Sequence, residues 1–439
     1  MIALFATPAY ALPIFARQTG SPCSACHTSF PELNAFGRSF KLRGYTLTES
    51  ELSGFSEEED KSTWLPIGGM VVTSYSRIKS QDVTETVEFS KDKELALQEA
   101  SAFLGGKINQ NTGAFLQFTY DGIERHSSLD IVDIRYSDRM KIDDKDLIYG
   151  ITLNNDPTAQ DVWNSMPAWS FPYTGSDSAP GPAATLIEDG LGQQVGGLGI
   201  YALWDNRLYG ELSLYRQGAT GIFRLLTQGS DVGNIVKGTA PYWRFAYQRD
   251  LGNHYFMTGL FGMSTSLYAE GLSEGPSNKY SDIGVDAQYE FKKDTHEITA
   301  SASWIREKQT WNADFASGNT EEISDTLKNF KAKISYYFNH YVGGTLGYFQ
   351  TTGSTNAELY APDPVEGSNA GKPNSSGFVM EVGFTPLELL KTGFSSEIFR
   401  VGLQYVMYDE FNGSKDNYDG FGRNASDNNT LYLYGWLAF

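Results

Sequence analysis

From about residue 66 the chain alternates apolar and polar residues with a period of two, in short stretches joined by connections of two very different lengths. Ile283, Val285, Ala287, Tyr289 and Phe291 fall on one face of such a stretch, and Asp282, Gly284, Asp286, Gln288 and Glu290 on the other. Phe330, Ala332, Ile334, Tyr336 and Phe338 oppose Lys331, Lys333, Ser335 and Tyr337, and Trp243, Phe245 and Tyr247 oppose Arg244, Ala246 and Gln248. Successive side chains point to opposite faces only in a strand, so each stretch predicts a strand with one apolar and one polar face. About sixteen strands are expected, starting near residues 67, 96, 113, 127, 145, 194, 208, 239, 254, 279, 296, 325, 340, 374, 398 and 429.

Two folds can use such faces: a soluble sandwich, with the apolar faces in a core, and a transmembrane barrel, with the apolar faces toward lipid and the polar faces lining a lumen. The connections separate them. Short turns at Asp205-Asn206-Arg207, Leu251-Gly252-Asn253, Lys293-Asp294-Thr295 and Asn339 alternate with long polar segments at 80–95, 154–192, 217–237, 310–324, 353–373 and 410–428. A short link near 122–127 is the one exception. Short periplasmic turns alternating with long external loops mark outer-membrane barrels, and an even strand number leaves both chain ends on the periplasmic side. The last strand, LYLYGWLAF, places Leu431, Leu433, Gly435 and Leu437 on one face and closes in Phe439, like the assembly signal of such barrels. Trp204, Trp243, Trp304 and Trp436 are expected in interfacial girdles, with core packing as the alternative. No run of 18 apolar residues exists to form a membrane helix. The expectation is a mainly β chain, a roughly 16-stranded antiparallel transmembrane barrel of the outer membrane, spanning residues 65–439.

The residues ahead of the barrel differ in kind. Residues 1–11 are apolar and end in Ala9-Tyr10-Ala11, an A-x-A pattern read as the tail of an export signal, without its basic start. Residues 12–64 carry both cysteines of the chain, in Cys23-Ser24-Ala25-Cys26-His27. C-x-x-C-H is the attachment sequence for c-type haem. Two thiols at this spacing reach the two vinyl groups of one porphyrin, and the next residue, His27, lies under the iron as proximal ligand. A disulfide would close too small a ring to gain loop entropy. Zinc would need a second ligand pair, and a thioredoxin-type site a βαβ setting in place of this polar, proline-containing segment. One covalent haem c is therefore expected on Cys23, Cys26 and His27.

Between residues 12 and 69 there is no Met, and the only His is His27. A sixth ligand must then come from the barrel, or the position is open. Met70 shares parity with Ser74 and Ser76, so it is expected to face the lumen and is the first candidate. Met166 could reach if the 154–192 loop folds inward. His296 and His340 share parity with lipid-facing residues and are disfavoured. A lumen of this size can hold residues 12–64 as a plug, and a haem there would divide the ~25 Å apolar band into shorter electron steps. Arg17 is a candidate partner for a haem propionate, because guanidinium suits carboxylates.

The stretch ALPIFARQTGSPCSACH resembles the N-terminal segment of the fused outer-membrane cytochrome–porins that act as iron oxidases. Phe15, Ala16, Arg17, Gln18, Thr19, Gly20, Cys23, Cys26 and His27 match that family's pattern; the match is strong over roughly residues 11–45 and architectural beyond. The resemblance implies a cytochrome-type Fe(II) oxidase: an electron taken from Fe(II) outside and passed through one haem c to a periplasmic c-type cytochrome. The alternatives are a conduit for another donor or acceptor, or a diffusion porin with an accessory haem. No acid, base or nucleophile of the protein is needed for electron transfer. The net charge of −19 argues against nucleic acid as a partner and would attract cations, or simply keep the protein soluble. The run Glu57-Glu58-Glu59-Asp60 reads as a solvated linker rather than an iron trap. The 154–192 loop is expected either to constrict the pore, to receive iron or to form an external lid.

Overall fold

A computed structural model describes residues 14–29, 31–48, 66–79, 92–230, 232–269, 272–385 and 399–439. Residues 1–11, expected to be the tail of an export signal, the Glu57–Asp60 run and the 64/65 boundary lie outside these residues.

The N-terminal segment forms helix α1 (Ile14–Thr19), a tight turn at Cys23–Ala25, a small hairpin of β1 (His27–Ser29) and β2 (Glu32–Leu33), and helix α2 (Ala35–Leu42). Sixteen long strands follow: β3 (Ile67–Arg77), β4 (Leu95–Lys107), β5 (Thr112–Asp121), β6 (His126–Ile142), β7 (Lys145–Asn154), β8 (Val195–Trp204), β9 (Leu208–Gln217), β10 (Ala240–Asp250), β11 (His254–Tyr268), β12 (Ser277–Lys293), β13 (His296–Thr310), β14 (Ser324–Phe338), β15 (Val342–Gly353), β16 (Ser375–Phe384), β17 (Phe399–Glu410) and β18 (Thr430–Ala438). Each pairs antiparallel with its neighbours in sequence, and β18 pairs with β3, so the ladder closes into a barrel with no free edge. Even the shortest, β18, has nine residues, enough to cross an apolar core when tilted.

The strand starts lie within two residues of those expected, because a period of two is covalent geometry. Ile283, Val285, Phe245, Ile334 and Leu433 are exposed on the outer face, with Leu198, Ile200, Leu212 and Leu214. Asp282, Asp286, Gln288, Arg244, Gln248 and Lys333 are buried on the inner face. An apolar exterior over a polar interior is a sandwich turned inside out, the arrangement that lipid selects. The chain is an outer-membrane β-barrel. The two-residue turn at Asp143-Asp144 and the Asp205-Asn206 turn use positive φ at both residues, matching the right-handed twist of the strands they join.

Three expectations about orientation change. Trp436 is buried and faces the lumen with Tyr432 and Tyr434. It shares their parity rather than that of Leu431, Leu433 and Leu437, so it is not a girdle residue. Trp304 faces outward but sits in the middle of β13, away from its ends. His340 lies in a turn at φ 62° after Asn339 at φ 55°, which breaks strand parity. Its Nδ1 comes within 2.9 Å of the Thr28 carbonyl, so it packs against the N-terminal segment instead of lipid.

The N-terminal segment sits in the lumen and is tied to the wall at many points. Arg38 pairs with Glu290 of β12. Lys333 of β14 donates to Glu32 at 2.9 Å. Tyr45 donates to Asp133 of β6, and Ser137 and Tyr201 donate to the Leu42 carbonyl at 3.0 and 2.7 Å. Gln18 donates to the Tyr45 and Leu47 carbonyls and accepts from the Lys107 backbone, which fastens α1 to both the segment and β4. The loop between β7 and β8 folds inward over this plug, and its residues from Asp156 to Met166 are almost all buried. Of its expected roles, constriction is the one its placement matches.

Candidate functional site

The Cys-x-x-Cys-His stretch is shaped by Asn34 and Gly37. Asn34 caps α2 by accepting from the Phe36 and Gly37 backbones, and its amide donates back to the Ser24 and Ala25 carbonyls. One side chain therefore joins the helix start to the Cys23–Ala25 turn. At Gly37 an added Cβ would lie 2.2 Å from the Cys26 carbonyl oxygen, so only glycine lets α2 rest on the motif. Gly37→Ala is expected to weaken docking of the segment by about 1–3 kcal/mol. Limited proteolysis checks this: cleavage ahead of residue 66 should quicken while the barrel stays resistant. An asparagine ahead of a helix is a legible N-cap signal, but the contact of Asn34 and Gly37 with the motif has no signature in the sequence.

Cys26 and His27 line a lumenal cavity of about 390 Å³, within the range of cofactor and ligand sites. His27 donates from Nδ1 to the Pro31 carbonyl at 3.0 Å. A carbonyl can only accept, so the proton is on Nδ1 and the lone pair on Nε2, the tautomer a metal ligand needs. His27 lines the cavity, and burial pulls its pKa down to about 4, which keeps the ring neutral. The thioether expected at Cys23 lies outside the described side chains.

Aromatic rings form a large part of the cavity wall. Phe15 stacks on Tyr45 at 5.1 Å and meets Phe40 edge-on at 5.1 Å; Phe115 lies 5.7 Å from Phe103 and 6.4 Å from Trp169. Met70 lines the same cavity from β3, 5% exposed, facing inward as its parity with Ser74 and Ser76 required. Met166 does not line it: it is buried in an apolar cluster with Leu186, Ile187 and Phe261, although its neighbours Asn164 and Pro167 do line the cavity. His296 bonds Tyr336 at the outer face. Arg17 donates from Nη2 to the Ile67 carbonyl and is not among the residues that line the cavity, which its helix neighbours Phe15 and Ala16 do line. The Lys or Arg that lines the cavity among the described residues is Lys41.

The cavity lies in the periplasmic half of the barrel. Met70 is three residues above the start of β3, roughly 10 Å along the strand, and Thr28 touches the periplasmic turn at His340. A second lumenal cavity of about 360 Å³ reaches from Lys333 toward the outer end, lined by Ser301, Ser303, Asn329, Lys331 and Thr351. The inward loop divides the two: Phe171 lines the second, Tyr173 the first, and Pro172 both. A tetrapyrrole fits what the first cavity offers. It has an apolar, ring-lined wall, a thiol and a neutral imidazole on one side, a thioether sulfur on the barrel side, and one cation.

No family model matches the chain, and no curated protein does. Among solved structures, the outer-membrane channel DcaP of Acinetobacter baumannii is 13% identical, with a TM-score of 0.46, covering 85% of this chain and 96% of that one. The trimer form of OmpT from Vibrio cholerae is 9% identical with a TM-score of 0.45 over 85% and 98%. The anion-selective porin of Comamonas acidovorans is 12% identical with a TM-score of 0.42 over 85% and 98%. The closed ladder of sixteen strands, rather than these likenesses, establishes the barrel.

Proposed function

We propose that this outer-membrane barrel is an electron conduit that carries one haem c in its lumen, oxidises Fe(II) and passes the electron to a periplasmic c-type cytochrome. The observation that carries this reading is the shared cavity: Cys26 and His27 from the plug and Met70 from the barrel line one lumenal space with eight aromatic residues in its wall. A haem c, when bound, supplies one-electron chemistry and nothing more. The protein's part is to hold, tune and insulate it. Cys23 and Cys26 anchor, His27 supplies a neutral nitrogen, and Met70 supplies a thioether that favours a higher potential than water would. The rings of Phe40, Phe115 and Trp169 exclude water. The inward loop closes the outer side, and the second cavity brings a small donor as far as the Phe171–Tyr173 partition. The periplasmic position of the first cavity suits an acceptor on that side. Fe(II) as donor follows the N-terminal resemblance.

Anaerobic addition of Fe(II) to the purified protein is expected to give the reduced haem spectrum. Met70→Ala is expected to lower the haem potential, and an unmoved potential would show that Met70 is not the ligand. A haem reduced only by strong reductants would mean another donor. The second cavity is the observation that favours a diffusion porin instead. A large steady conductance in planar bilayers would establish that reading.

A further inference from the structure

We propose that Lys41 is the residue of this cavity that pairs with the carboxylate edge of the bound tetrapyrrole. The assignment rests on the haem reading above. It takes the place that the sequence pattern suggested for Arg17, whose guanidinium is engaged at Ile67.

The geometry makes the case. Lys41 is buried on α2 and lines the cavity. Its ammonium donates to the Ala159 carbonyl at 2.7 Å and the Asp161 carbonyl at 2.9 Å, and lies 4.3 Å from the centre of the Trp169 ring, itself part of the cavity wall. Two carbonyls use two of its three N–H donors. Among the described residues it forms no direct ion pair; Asp133, Asp161 and Glu211 act on it from beyond contact distance, and burial makes a closer anionic partner favourable. The remaining charges on the cavity wall are acidic: Glu99 and Asp130, from β4 and β6. A cofactor with an anionic edge is therefore repelled from Glu99 and Asp130 and drawn to Lys41.

This pairing has a consequence for pH. Lys41 also faces Arg135, Asp133, Asp161 and Glu211. Burial, and then the positive charge of Arg135, pull its pKa down to about 7 among the protein's own groups, and a carboxylate paired with it raises that value again. A cation beside the cofactor favours the reduced, more negative state. As pH rises past the pKa of the paired Lys41 its charge is lost and the haem potential falls, and Glu99 and Asp130 on the same wall lower the potential further as they lose protons.

The test is a potentiometric titration of the purified holoprotein from pH 5.5 to 9, for wild type, Lys41→Met and Lys41→Arg. The wild-type potential should fall with pH. Lys41→Met should sit lower at acid pH, by about 59 mV or more, a tenfold change in the reduced-to-oxidised ratio. Lys41→Arg keeps the charge at all these pH values, so it should stay at least as high as wild type throughout. If Lys41 only clamps the loop carbonyls, Lys41→Met destabilises the loop but keeps the wild-type potential, and the assignment falls. If Lys41→Met yields no folded protein, Lys41→Gln, which still donates to the loop carbonyls without the charge, decides alone, since a wild-type potential in that variant overturns the assignment. A wild-type chain matured in the periplasm without pigment overturns the haem reading, and this assignment with it.

Discussion

A chain carrying Cys23→Ser and Cys26→Ser is expected to lose its covalent pigment entirely and still form the barrel. Thioether bonds need both thiols at this spacing, and neither serine can replace them. The sixteen-strand ladder closes through backbone pairing of β3 with β18, in which the motif takes no part. Haem staining after denaturing electrophoresis reads the first half of the expectation, and the heat-modifiable mobility of folded barrels reads the second. A wild-type protein that shows no haem stain, or a double variant that keeps it, sinks the functional reading. Fe(II) should then leave the visible spectrum of the variant unchanged.

The second large effect concerns what keeps the lumen shut. Lys333→Met is expected to loosen the plug by about 3–5 kcal/mol, because it leaves Glu32 buried and unpaired. Glu32 and Lys333 are both almost fully buried, and the second Glu32 oxygen has no hydrogen-bond partner among the described residues. Adding Glu32→Gln should recover most of the loss, since the penalty comes from the stranded charge rather than the missing attraction. Single-channel recordings should show open events in Lys333→Met that are rarer in wild type and in the double variant. Equal conductance in all three would mean that this pair does not hold the plug.

Much of the architecture is legible in the amino-acid sequence, and the reason is local. Alternation of side chains along a strand is set by the backbone, so the sixteen strands, their faces and the inward Met70 can be read residue by residue. The polar faces at Asp282, Asp286 and Gln288 and the apolar faces at Ile283 and Val285 follow from the same rule. It fails where the chain leaves the strand: His340 turns inward because both residues of its turn adopt positive φ. For Trp436, residue type points to a girdle and parity to the lumen, and parity is right.

The site divides along the same line. Cys23, Cys26 and His27 are adjacent, so the motif and the cofactor it implies are properties of the sequence alone, as is the β-barrel that follows. Which groups meet that motif was decided only in three dimensions. Lys41 reaches the Ala159 and Asp161 carbonyls, Lys333 reaches Glu32, and the inward loop lies over the plug. These partners are separated by more than a hundred residues, and no periodicity records them. Parity can say that a side chain faces the lumen. What it meets there depends on how one plug and one loop fill a closed cylinder, and that is settled by packing and by the cost of leaving buried charges alone.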